Sequence, residues 1–256
     1  MKHIKTFEQT KIKVNSLELF DATRDNDLEK AKELLKDPNI DVNIKDNFDE
    51  SALFWASFEG YLEIVKELLK HPNIDVNIQN NFGYTALMLA ANRDHLKIVK
   101  ELLKHPNIDV NIQNKYGDTA LIKASIVGYF NIIKELLKYP NINVNIKDYV
   151  GDSALTKASR FSELEIVKEL LKHPDIDVNI QNNIKVTALI KSSYYGYLEV
   201  IKELLKHPNI DVNIQDDENK YFLDYLNDKD KEEIKNLYPE KYKKYHLNKK
   251  TDEYNL

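Results

Sequence analysis

Cysteine is absent from this chain of 256 residues, so disulfide frameworks, thiolate metal sites and a cysteine nucleophile are excluded together. No stretch approaches the roughly 18 apolar residues that a membrane-crossing helix needs. The opening MKHIKTFEQTKIKVNS carries no apolar core of the signal-peptide kind. The expected location is therefore the cytoplasm of the producing cell, with export to a host cell by a signal of another kind left open. An excess of positive charge is missing too. Lys+Arg number 37 against 42 Asp+Glu, a net charge of −5, and a nucleic-acid binder needs a basic surface to neutralise phosphate. The six glycines form neither a phosphate-cradling loop nor a G-x-S-x-G nucleophile elbow. What remains is 42% hydrophobic and 31% charged, the balance of an ordinary folded soluble protein.

The chain repeats itself. ELLK begins at residues 33, 67, 101, 135, 169 and 203, a spacing of 34 residues. In the copy NFGYTALMLAANRDHLKIVKELLKHPNIDVNIQN, Thr85 is placed to cap a short helix that carries Leu87, Ala90 and Ala91 on one face. A second helix follows with Leu96, Ile98, Val99, Leu102 and Leu103 at helical spacing, and His105-Pro106 ends it. Ile108, Val110 and Ile112 then alternate with polar residues, as in an extended segment. Gly83, Gly117 and Gly151 recur at one loop position, Gly60, Gly128 and Gly196 between the helices, and Pro38, Pro72, Pro106, Pro140, Pro174 and Pro208 after the second helix.

This punctuation divides the chain into an N-terminal segment 1–16, a capping repeat 17–46, five 34-residue repeats over 47–216, a C-terminal cap 217–240 and a basic tail 241–256. Lys30 and Lys235 stand where inner copies place aliphatic residues, which predicts end faces turned to water.

TALxxAA, then LxIVKELL, then DVN resembles the ankyrin repeat over roughly residues 17–238. There are departures. The family's TPLH becomes SALF, TALM, TALI, SALT and TALI, and its post-helix Gly-Ala becomes Pro-Asn-Ile or Pro-Asp-Ile, the change that lengthens the period to 34. The resemblance implies an all-α repeat solenoid, stacked helix-turn-helix units with extended hairpin-like loops. It also implies contacts from loop tips and the exposed face of the first helix, on a concave surface. Carried over residue by residue, the tip rows give Phe48, Phe82 and Tyr116, followed by Val150 and Ile184, and beside them Tyr84, Asp118, Asp152 and Val186. The first-helix rows give Trp55, Leu89, Lys123, Lys157 and Lys191, then Phe58, Arg160 and Tyr194, then Arg93, Phe161 and Tyr195. These rows vary between copies while the core columns hardly change, and aromatic and arginine anchors usually dominate interface energy. The early copies present aromatics and the later ones lysines, which suits a partner with an apolar segment and an acidic one. For any single residue the alternative is structural: a tip aromatic packed on the next loop, or a lysine that is only a solvated surface.

His71, His105, His173 and His207 form a ladder, but stacked equivalents stand about 8–10 Å apart, whereas zinc ligands converge at about 2 Å. Acidic DDEN at 216–219 lacks the glycine and terminal glutamate of a calcium loop. No cofactor, metal or catalytic residue is expected. The expected function is a non-enzymatic scaffold or adaptor, monomeric, binding a protein of unknown identity and neither nucleic acid nor membrane. A self-assembling structural protein, or an effector or inhibitor of a host or cellular target, is the alternative.

Overall fold

The helix pairs of the inner repeats begin with a cap that the sequence supplies. In this computed structural model, which describes residues 2–254 and, for 2–11, 248 and 250–254, the backbone alone, Ser51, Thr85, Ser153 and Thr187 each accept a hydrogen bond from the backbone N–H three residues on, at 3.2–3.3 Å. Such a cap contributes about 1 kcal/mol. The described residues form helices without strands, apart from isolated antiparallel bridges Lys45–Ser51 and Lys147–Ser153.

The chain divides into two compact units, Met1–Lys123 with Lys138–Ile142, and Ala124–Leu137 with Asn143–Leu256. The first unit contains α1 (Lys2–Arg24), α2 (Leu28–Leu34), α3 (Ala52–Glu59), α4 (Leu62–Leu69), α5 (Ala86–Asn92) and α6 (Leu96–Leu102). Helix α7 (Ala120–Val127) starts in this unit and ends in the second, which continues with α8 (Phe130–Leu136), α9 (Ala154–Arg160), α10 (Leu164–Leu170), α11 (Ala188–Tyr194) and α12 (Leu198–Lys206). A 3-10 turn (Phe222–Tyr225), α13 (Asp228–Leu237) and α14 (Pro239–Tyr254) complete it.

Packing follows the repeat. First helix lies on first helix, α3 on α5 and α9 on α11, and second on second, α4 on α6 and α10 on α12. The apolar stripe supplies the core: Leu87, Ile98, Val99 and Leu102 are buried, as are Ile108 and Val110 of the extended segment, while Ile112 is half-exposed. On the opposite side of α4, Lys66 pairs with Glu63 at 2.7 Å and Lys70 with Glu67 at 2.8 Å, exposed contacts of small energetic value. Side-chain amides join successive extended segments. Asn77 donates to Asn107 O at 2.7 Å and accepts from the Asp109 N–H at 2.9 Å, and Asn179 repeats the arrangement on Asn209 and Asp211.

At the N-terminal end α1 runs unbroken from Lys2 to Arg24, across the expected boundary at residue 16. At its buried face Ser16 Oγ accepts the Asp41 N–H at 2.9 Å, standing in for the amide of a preceding repeat. The segment 241–256 is, as far as Tyr254, part of a docked helix: Tyr245 is buried, donates to Asp224 at 2.9 Å, and Lys249 pairs with the same carboxylate. Lys30 is half-buried beside Glu18 at 3.5 Å, and Lys235 is exposed beside Glu232.

Candidate functional site

The loop tips are built to hold side chains outward on a fixed backbone. Asn80 Oδ1 accepts from the N–H groups of Phe82 and Tyr84 at 2.9 and 3.0 Å, closing the turn. Gly83 has φ +78°, and a Cβ there would lie 2.9 Å from Asn114 Cα of the next tip, so a side chain is barred. The Phe82 carbonyl then accepts the Lys115 N–H at 2.9 Å, which ties one tip to the next. With the backbone so pinned, the rings stay in solvent: Phe48, Phe82 and Tyr116 are 63, 52 and 56% exposed.

Elsewhere in the first unit, Trp55 meets Phe58 edge-on at 6.0 Å, and the Arg93 guanidinium lies 3.8 Å over the Phe58 ring. Tyr84 is half-buried, with the Lys123 ammonium 5.7 Å from its ring centre. Burial, reinforced by the Asp118 charge, raises the Tyr84 phenol above its ordinary value. Burial and the Asp46 charge likewise raise the Glu50 carboxyl. Leu89, expected on the contact surface, is only 7% exposed and belongs to the core of α5.

In the second unit Val150 and Ile184 are exposed tips, as expected, and so is their neighbour Tyr149, at 68%. Sequence reasoning missed Tyr149, although an aromatic in a column of Asn, Lys and Asp is a readable signal. Val186 turns inward. The largest correction concerns Lys157, which is 7% exposed: its ammonium lies 2.6 Å from Asp148 and 3.1 Å from Asp152, and Asn182 donates to Asp152 at 2.8 Å. Burial pulls the lysine pKa down, but the hydrogen bond to Asp148 and the Asp152 charge outweigh it and leave the value above the ordinary one. Lys123 stands 3.8 Å from Asp118. Two of the three lysines of the expected row, Lys123 and Lys157, therefore face carboxylates of the chain itself.

Arg160 is exposed over Phe161 at 5.4 Å. Tyr194 and Tyr195 are exposed and meet edge-on at 5.1 Å, with Tyr225 5.5 Å from Tyr194. Tyr225 was not foreseen; it donates to Asp216, and burial together with that carboxylate raises its phenol pKa. Among the described residues no group of three or more His, Cys, Asp or Glu side chains could hold a metal. The four ladder histidines each accept the N–H two residues on through Nδ1, at 3.3 Å, shaping the turn after the second helix.

A family model described as ankyrin repeats matches three times, over residues 19–114, 72–148 and 143–216. The chain is similar to the crystal structure of EF0377, an ankyrin repeat protein, at 29% identity and a TM-score of 0.70, covering 74% of this chain and 96% of that one. It is similar in fold to the ankyrin repeat domain of Bcl-3, a member of the IkappaB protein family, at 22% identity and a TM-score of 0.75, covering 82% and 94%. No curated protein matches it by sequence.

Proposed function

Since this chain belongs to the ankyrin-repeat family, we propose that it is a non-catalytic, monomeric scaffold or adaptor that recognises a partner protein through its loop tips and first helices. The observation that carries this reading is the exposure of the tip row. Phe48, Phe82 and Tyr116 keep half or more of their surface in water on backbones that are already fixed. Burying such rings contributes on the order of 25 cal/mol per Å², and their backbones need no ordering when a partner arrives. The tip carbonyls, not the rings, make the tip-to-tip hydrogen bonds, so the rings remain available.

Affinity capture from lysate of the source cell or its host tests this. The native chain is compared with a Phe48→Ala, Phe82→Ala, Tyr116→Ala variant, whose substitutions remove exposed groups only. Retention of a discrete protein by the native chain, lost by a variant with an unchanged circular dichroism spectrum, is the expected result. Equal retention by both places binding elsewhere.

A further inference from the structure

Resting on the binding reading above, we propose that Lys191 anchors a single carboxylate side chain of the partner protein, in the place that an aspartate fills one repeat earlier. The internal template is Lys157, whose ammonium is held by Asp148 at 2.6 Å and Asp152 at 3.1 Å. Thirty-four residues on, Asn182 stands at the Asp148 position and Val186 at the Asp152 position, so both acids are gone while the lysine remains. Among the described residues, no side chain pairs with the Lys191 ammonium.

The nearby acids are committed. Asp152 is closed by Lys157 and by the Asn182 amide at 2.8 Å. Asp216 accepts the Tyr225 hydroxyl and the N–H groups of Glu218 and Lys220, each at 3.0 Å. Glu218 pairs with Lys220 at 2.6 Å. Lys191 also borders an open cavity of about 300 Å³ whose apolar walls include Ile184, Val186, Ile190 and Tyr194 and whose lining also carries Asp216, Asp217 and Glu218. Asp216, whose hydrogen-bond donors are all neutral, and Asp217 both keep their negative charge on this cavity, which penalises a second acid on the ligand. An ammonium beside apolar walls interacts with an arriving carboxylate more strongly than one in open water. The ligand is therefore one acid next to an aliphatic or aromatic side chain, presented by a protein.

A random peptide library displayed on phage, selected against the full native chain, tests this, with affinities of the selected synthetic peptides measured by fluorescence anisotropy. The expected peptides carry one Asp or Glu beside a large apolar residue. They bind Lys191→Gln about tenfold more weakly, and selection on Lys191→Glu replaces the acid by Lys or Arg. Val186→Asp, which rebuilds the internal pair, should weaken them equally; should it fail to fold, the two Lys191 variants carry the test. Peptides lacking an acid, or acidic peptides indifferent to Lys191→Gln, overturn the assignment. Peptides lost on Phe82→Ala or Tyr116→Ala but unaffected at Lys191 overturn it while leaving the binding reading intact. Failure of the native chain to select any peptide counts against both.

Discussion

The His95 ring lies across Gly60, its Cε1 2.7 Å from the position a Cβ on that glycine would occupy, while its Nε2 contacts the Phe58 carbonyl at 3.1 Å. One repeat thus closes over the helix turn of the one before it, and two features of that turn favour glycine at once. Gly60 has φ +88°, and it has no room. Gly196 has φ +70° but nothing within 4 Å. Gly196→Ala should cost about 1 kcal/mol of backbone strain, and Gly60→Ala about 1–3 kcal/mol more through the clash. Urea denaturation of both variants checks the difference. In a His95→Ala background the excess at Gly60 should vanish, because the two residues act as one pair.

Removing the cation from a buried cluster leaves two carboxylates facing each other. Lys157→Met should destabilise the chain by about 3–5 kcal/mol, far more than Lys66→Met, whose pair with Glu63 is exposed. The pH dependence has a definite sign. The folded pKa of Lys157 is raised, so its contribution is complete below the unfolded lysine value and is lost as pH climbs through the folded one. Stability that is flat from neutrality to about pH 10 and then falls, with a smaller fall in Lys157→Met, is the expected thermal-melt profile.

His207 works in the opposite direction. Burial, then the charge of Lys241, lowers its pKa. Its stabilising contribution is present above the unfolded histidine value and lost as pH drops through the folded one, because a protonated Nδ1 no longer accepts the Asn209 N–H, now at 3.3 Å. Proton NMR should find His207 titrating below about 6.5, and Lys241→Met should move it upward.

The amide ladder separates inner rungs from the last. Asn77 makes two hydrogen bonds to the following repeat, so Asn77→Ala should cost about 1–3 kcal/mol. Asn213 ends the ladder: its amide nitrogen returns to Asp211 at 2.9 Å, and its Oδ1 is buried without a partner. Asn213→Ala should therefore be nearly neutral or stabilising in chemical denaturation.

Periodicity made the regular parts legible. Thr85 as a cap and Ile98, Val99 and Leu102 as core follow from which columns repeat, while Phe82 and Tyr116 at exposed tips follow from the family resemblance. Lys157 was not legible because its acids lie five and nine residues upstream, and only the folded tip brings them to the α9 face. Val186 reads as one more variable tip residue, yet the turn points it inward. In α14 the residues show no repeat, and the burial of Tyr245 depends on Asp224 and Tyr221, which the 3-10 turn carries into place. Tertiary context decides where the local pattern stops.

Site-specific photo-crosslinking tests the central claim most directly. A benzophenone amino acid is placed at Phe82, on a tip, or at Lys97, on the exposed side of a second helix, and irradiated in lysate. A discrete crosslinked protein band at position 82 and none at 97 is the predicted result. The same band at both positions, or at 97 alone, would contradict recognition through the tips and first helices.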